Sequence, residues 1–70
     1  MPVQIILNGA ERRFETPPSV AQLLDMLGLG GHRVAVEVNR EIVPRSRHGA
    51  HVLQDHDRVE VVRAIGGGAG

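Results

Sequence analysis

Apolar and polar residues alternate along several short segments of the chain, a pattern typical of β-strands with one buried face. Residues 3–7 place three apolar side chains on one face of a first strand. Asn8-Gly9 follows, and this dipeptide suits the two positive φ angles of a tight hairpin turn. The return strand is predicted over residues 12–15, with Phe14 pointing inward.

One segment has helical rather than alternating spacing. Ser19 and Gln22 form a predicted capping box, in which each side chain accepts a hydrogen bond from the other residue's backbone N–H. Gly28 is placed to end the helix, because glycine adopts the left-handed conformation without steric cost. The apolar residues between them follow the i, i+3, i+4, i+7 spacing of one helix face: Val20, Leu23, Leu24 and Leu27.

The second half of the chain returns to alternation. Residues 34–38 predict a third strand, residues 39–40 a turn, and residues 42–43 at most a short strand ended by Pro44. Residues 45–50 are predicted to be irregular.

The predicted elements end with a turn and a strand. Val52 and Leu53 are expected to return to the core. Residues 55–57 predict a turn in which His56 takes a positive φ, and residues 59–65 predict the last strand.

This order of elements predicts an α+β fold, with one mixed sheet and one main helix packed on one face of it. The first and last strands are expected to lie side by side, because a helical crossover joins parallel strands. The predicted core is Val3, Ile5, Leu7, Phe14, Leu23, Leu24, Leu27, Val36, Leu53, Val59 and Val61.

Composition limits the possible functions. With 70 residues the chain predicts one small domain, so function is expected at a surface or a terminus. Eight arginines balance eight acidic residues, which argues against a nucleic-acid partner. There is no cysteine or lysine, no signal-peptide pattern and no membrane-spanning apolar run. We expect a cytoplasmic protein that is monomeric when free and has no membrane partner.

The last five residues, 66–70, read Gly-Gly-Gly-Ala-Gly. We predict a folded domain over residues 1–65 followed by a flexible tail that reaches roughly 15 Å. Glycine lets a backbone enter a channel too narrow for a Cβ atom. A terminal carboxylate delivered in this way can be activated by ATP as an acyl-adenylate and then converted to a thiocarboxylate. Taken alone, the tail fits a linker or a cloning scar better than a carrier end, and only the body to which it is attached reverses that order.

The body of the chain resembles the ThiS family of ubiquitin-like sulfur carriers. The resemblance extends over nearly all of the sequence and lies in the segments Ile6-Leu7-Asn8-Gly9, Ser19-Val20-Ala21-Gln22-Leu23-Leu24, Val34-Ala35-Val36-Glu37-Val38-Asn39, Ile42-Val43-Pro44-Arg45, Asp57-Arg58-Val59-Glu60-Val61-Val62 and Ala64-Ile65-Gly66-Gly67-Gly68.

The resemblance implies a β-grasp fold of ββαββ order and a role in making the thiazole of thiamine. It implies three partners: an adenylyltransferase related to ubiquitin activators, a cysteine desulfurase or other sulfurtransferase, and thiazole synthase. ATP is consumed by the activating partner, and the carrier itself binds no cofactor. The sulfur-carrying end corresponds to Gly68, preceded by Gly66 and Gly67.

Two features depart from the family pattern. Ala69 and Gly70 follow the glycine at which family members typically end. Either these two residues are trimmed, or Gly70 itself is activated, or they are not native; Gly68 is the preferred end. The turn before the last strand has His56-Asp57 where the family usually has Gly-Asp.

Three apolar residues near the tail are candidates for docking. Val62 would face away from the helix if Val59 and Val61 face it. We predict that Val62, Ala64 and Ile65 seat the chain on its activating enzyme; alternatively, they finish the sheet edge.

Other polar residues favour simpler interpretations. His48 and His51 have metal-like spacing, but without a cysteine we expect surface histidines and no metal site. Asp55 and Asp57 are expected to stabilise their own turn rather than to act as paired catalytic carboxylates. No catalytic residue is predicted.

Two alternative functions remain open at this stage. A molybdopterin-type sulfur carrier has a similar fold and a diglycine end, although it is usually longer. A β-grasp module that binds RNA or another ligand would need basic or aromatic surfaces, which this sequence lacks.

Overall fold

The structure, a computed structural model, describes residues 1–63. Within that part the five strands and the α-helix follow the predicted order, whereas residues 45–47, which were predicted to be irregular, form a 3₁₀ turn. The elements are β1 (Val3–Leu7), β2 (Ala10–Phe14), α1 (Val20–Met26), β3 (Val34–Val38), β4 (Glu41–Ile42), a 3₁₀ turn (Arg45–Arg47) and β5 (Arg58–Arg63).

The strands form one mixed sheet in the order β2-β1-β5-β3-β4. β1 and β5 are parallel neighbours at its centre, as predicted for the first and last strands, and the other three pairs are antiparallel. The apolar residues of α1 share a core with those of β1, β3 and β5. One helix on one face of a mixed sheet is the predicted α+β architecture of a β-grasp fold.

The predicted tight turns are confirmed by backbone angles. Asn8 and Gly9 have φ angles of 48° and 84°, and Asn39 and Arg40 have φ angles of 53° and 71°. His56 has a φ of 72°, the positive angle expected for the middle of its turn. Because the first turn needs only two residues, the return strand begins directly after it, two residues earlier than predicted.

The capping box at the start of α1 is also confirmed. The Ser19 hydroxyl accepts from the Gln22 N–H at 3.1 Å, and the Gln22 side chain accepts from the Ser19 N–H at 2.9 Å. At the other end Gly28 has a φ of 74°. The capping box and the Gly28 turn mark the two ends of the helix. The buried residues of the helix, Val20, Leu23 and Leu24, pack in the core that it shares with the sheet.

All predicted core residues are buried except Phe14 and Leu27, which are partly buried and pack against the core. Val20 from the predicted helix stripe is fully buried, and two further valines, Val38 and Val43, join the core although they were not predicted there.

The prediction that both Val52 and Leu53 return to the core is wrong for Val52. Leu53 is fully buried, whereas Val52 is 53% exposed. Val52 forms an isolated antiparallel bridge with Ser19, and the Leu53 N–H donates to the Pro18 carbonyl at 2.9 Å. Successive side chains of an extended segment point to opposite sides, so only one of the two reaches the core.

None of the helices in residues 1–63 has the length and apolar character needed to span a membrane.

Candidate functional site

The strand that leads to the glycine-rich tail is β5, and it lies between two other strands. Along β3 it pairs from Val38 opposite Val59 to Val34 opposite Arg63. On its other side it pairs with the end of β1. β5 is therefore paired with β3 along residues 59–63, and with β1 only at its start, at Arg58 and Val59.

Asn8 extends the contact between β1 and β5 beyond the end of β1. Its side-chain carbonyl accepts from the Val61 N–H at 2.8 Å, and its amide donates to the Val61 carbonyl at 3.3 Å. The Asn8 side chain thus takes the place of a backbone strand partner for Val61, which lies 53 residues later in the sequence. The sequence indicated Asn8 only as a turn residue, because nothing local shows a partner at that distance.

The start of β5 is held by a buried carboxylate. Asp57 accepts from the Asn39 amide at 2.9 Å and from the Gln54 N–H at 2.8 Å, and Asn39 in turn accepts from the Arg58 N–H at 2.9 Å. Asp55 accepts from the Gln4 N–H at 2.8 Å. The prediction that these aspartates stabilise their own turn is confirmed for Asp57, which accepts from the Gln54 N–H three residues earlier. It is wrong for the backbone contact of Asp55, whose carboxylate accepts from the Gln4 N–H of β1 instead.

The far end of the described part of β5 carries an exposed contact between Arg63 and His32. The Arg63 Nη2 atom lies 3.1 Å from the His32 Nδ1 atom. A guanidinium has only donors, so Nδ1 accepts, and in the neutral ring the proton is then on Nε2. This contact ties the loop before β3 to the last described residue.

His48 is not the surface histidine that was expected. It is only 8% exposed, and its Nε2 atom lies 3.0 Å from the Val43 carbonyl, which makes Nε2 the donor. The 3₁₀ turn directs it inward, and its own carbonyl accepts from the Ala21 N–H at 2.9 Å. His51 is partly buried. Among residues 1–63, no group of three or more metal-binding side chains is found.

The candidate docking residue Val62 is 63% exposed, while Val59 and Val61 are buried. Its predicted orientation away from the helix is therefore confirmed. Ala64 and Ile65, the other predicted docking residues, lie outside the described residues. So do the predicted sulfur-carrying glycines, which are Gly66, Gly67, Gly68 and Gly70.

Comparison with known proteins identifies the family. The sequence model of the ThiS family matches residues 5–68, which includes the run of three glycines. The chain belongs to the ThiS family. A ThiS-family relative, the sulfur carrier protein ThiS of Escherichia coli strain K12, is 30% identical over 66 residues, which are 94% of this chain and all of that protein.

A solved structure supports the ThiS fold independently. The crystal structure of the thiamine biosynthesis protein ThiS from Geobacter metallireducens superimposes with a TM-score of 0.79 at 29% identity. The match covers 94% of this chain and all of that one. The β-grasp fold expected from the resemblance is thereby shown.

Two relatives of this ThiS chain are much longer proteins. Thiazole synthase of Paramagnetospirillum magneticum is 42% identical over 67 residues, and that of Magnetococcus marinus is 44% identical over 66 residues. The matches cover 96% and 94% of this chain. The chain spans only about a fifth of the length of these two relatives.

Proposed function

We propose that this chain is a sulfur carrier of thiamine biosynthesis that works through a main-chain carboxylate at its glycine-rich end. The observation that carries the proposal is the match to the ThiS family, which runs through the sheet and helix and continues to Gly68. The similarity to the Escherichia coli sulfur carrier protein, over all of that protein, supports the same role.

The chemistry follows from the poor reactivity of a carboxylate. Attack of the carboxylate on ATP releases pyrophosphate and leaves an acyl-adenylate. A sulfur nucleophile then displaces AMP. When that nucleophile is a persulfide, the product is an acyl disulfide, and a thiol must attack its outer sulfur to free the thiocarboxylate. The carrier contributes recognition and the acyl group, and its partners contribute catalysis. In this sense it is a co-substrate rather than an enzyme.

Gly68 is the proposed working end, with Gly66 and Gly67 leading to it. The family match stops at Gly68, so Ala69 and Gly70 fall outside it. The chain has neither cysteine nor lysine, so none of its side chains offers a thiol or an amine that could attack the acyl-adenylate in place of the sulfur donor. We propose that the folded part ends at residue 65 and that residues 66–70 form the carrier tail.

Three partners complete the proposed pathway: a ubiquitin-activator-like adenylyltransferase, a cysteine desulfurase or other sulfurtransferase, and thiazole synthase as the acceptor. The acceptor is supported by the two relatives named thiazole synthase, each of which contains a segment similar to this chain. We propose that the free carrier is a cytoplasmic monomer.

The position of the working end can be tested with two chains, one ending at Gly68 and one at Gly70. ATP–pyrophosphate exchange is measured with the purified cognate activating enzyme. The chain ending at Gly68 is expected to support exchange, whereas the chain ending at Gly70 should do so only after Ala69-Gly70 is removed. Equal exchange by both untrimmed chains would show that Gly70 can be activated directly. No exchange by either chain would refute carboxylate activation.

Docking through the apolar residues beside the tail is a second testable part of the proposal. We expect Val62→Asp to fold normally, because Val62 is 63% exposed, and to lose most sulfur transfer, because a carboxylate would be buried against the enzyme. Thermal unfolding and thiocarboxylate formation are measured together. Val52→Asp is the matched control, since Val52 is also an exposed valine. Normal sulfur transfer by a folded Val62→Asp chain would refute the proposal that Val62, together with its neighbours Ala64 and Ile65, docks on the activating enzyme.

A further inference from the structure

A groove of about 540 Å³ lies between α1, the loop before β3 and the 3₁₀ turn. Leu24 of the core, together with Leu29 and Val34 packed against the core, gives it an apolar floor. Two exposed arginines, Arg33 and Arg45, also line it. We call this cavity the edge groove, because one of its walls is an edge of the sheet.

That wall is the first half of β3, which β4 is too short to cover. β4 pairs only with Glu37 and Val38. Beyond them the Val43 N–H donates to the Val36 carbonyl at 2.9 Å, so the backbone groups of Val36 point to this side of β3 and not to β5. Every second residue of a strand points its N–H and carbonyl to the same side, so those of Val34 point into the edge groove as well. Within residues 1–63, no strand pairs with Val34 on this side.

The polar lining of the edge groove favours an anionic occupant. His48 is only 8% exposed, and because its Nε2 atom donates to the Val43 carbonyl, the neutral ring offers Nδ1 as an acceptor. Asp25 is the acidic residue of the lining, and its carboxylate lies against Gly30 of the loop, where a Cβ atom would overlap it. Arg45 lies on the 3₁₀ turn instead. Two arginines against one carboxylate leave the groove with a positive balance while its histidines are neutral.

We propose that the edge groove holds the chain's own glycine-rich tail before any enzyme binds, with the terminal carboxylate beside Arg45. The described chain ends at Arg63, directly opposite Val34. The groove lies on the other side of β3, two strand spacings or about 10 Å away. Residues 64–66 can span roughly 10 Å, which leaves residues 67–70 to run along the open edge of β3.

The tail suits this groove better than a segment of another protein does. Its backbone supplies donors and acceptors for the open edge of β3, in the manner of an added strand. The methyl group of Ala69 can lie on the apolar floor, and the terminal carboxylate pairs with a guanidinium. Because the tail is attached beside the groove, its effective concentration there is on the order of millimolar, which a separate protein seldom reaches.

The test follows hydrogen exchange of the Val34 N–H by NMR in two forms of the full 70-residue chain, one with its free carboxylate and one with a C-terminal amide. Exchange is expected to be about tenfold slower in the carboxylate form, which corresponds to a docked tail in roughly nine molecules of ten. Ala35 is the internal control, because its N–H points to β5 and should exchange alike in both forms. Equal exchange of Val34 in the two forms would overturn the proposal.

Arg45→Gln is expected to restore fast exchange of the Val34 N–H in the carboxylate form, because the terminal carboxylate loses its partner. Arg47→Gln is the matched control, since it removes the same charge from the same 3₁₀ turn but lines a different cavity. It should keep the slow exchange. Equal loss of the slow exchange in both variants would contradict the place of the carboxylate beside Arg45.

Dilution identifies the occupant of the edge groove. Exchange of the Val34 N–H that stays equally slow after dilution supports a tail bound to its own chain. Exchange that becomes faster would mean that the groove holds the tail of a second copy, and would overturn the proposal. The resting site goes beyond the proposed function, because it acts before sulfur chemistry begins. Neither ATP nor a partner is present in the test, so the two proposals can fail separately.

Discussion

A chain that stops at Ile65 is expected to fold like the parent chain and to lose sulfur transfer completely. All the buried apolar residues that the structure describes lie between Val3 and Val61, so the shortened chain keeps that core. It lacks Gly66, Gly67 and Gly68, and with them the carboxylate that we propose to be adenylated. Circular dichroism and urea unfolding should match the parent, whereas thiocarboxylate formation should be undetectable.

The cellular form of this experiment uses cells that lack this protein, grown without thiamine. The chain ending at Gly68 is the matched control, since it differs from the shortened chain only by the three glycines. We expect growth with the control chain and no growth with the chain ending at Ile65. Growth with both would show that the glycines are dispensable and that the carrier proposal is wrong.

Leu53→Ala is expected to have the largest effect on stability. Leu53 is fully buried and belongs to the same core cluster as Ile5 and Val20. Removing a buried leucine side chain costs about 2–5 kcal/mol, through lost burial and the cavity left behind. A domain of this size has a free energy of unfolding of only roughly 4–10 kcal/mol. The variant should therefore lose a large share of its stability and be partly unfolded at elevated temperature.

Val52→Ala provides the control, because Val52 is the preceding residue and is 53% exposed. It should change the free energy of unfolding by less than about 1 kcal/mol. Both variants are compared by urea unfolding. Equal losses would mean that Leu53 is not the residue by which this segment packs into the core.

The features predicted correctly from the sequence are those with a local cause. The Asn8-Gly9 turn and the Ser19 capping box depend on residues within three positions of one another, and both are present. Alternation along the last strand was also enough to predict that Val62 lies on the sheet face away from the helix. The side chains of a strand alternate between the two faces whatever its neighbouring strands are.

The features that sequence reasoning missed depend on how the segments are arranged in the fold, which no local pattern specifies. Asn8 binds Val61 because the fold makes β1 and β5 neighbours, a pairing that no local pattern specifies by residue. His48 is buried because the 3₁₀ turn brings it to the Val43 carbonyl. The facing pair of Glu37 and Glu60 appears only once the register of β3 and β5 is known.

The most direct test of the carrier proposal is the intact mass of the chain after incubation with ATP, the cognate activating enzyme and a sulfur source. Replacement of one oxygen by sulfur adds nearly the same mass as oxidation of Met1 or Met26, so fragmentation must locate the change, and a reaction without ATP is the control. We predict an ATP-dependent gain confined to the C-terminal glycine. A chain whose terminal glycine stays unchanged under these conditions would contradict the account.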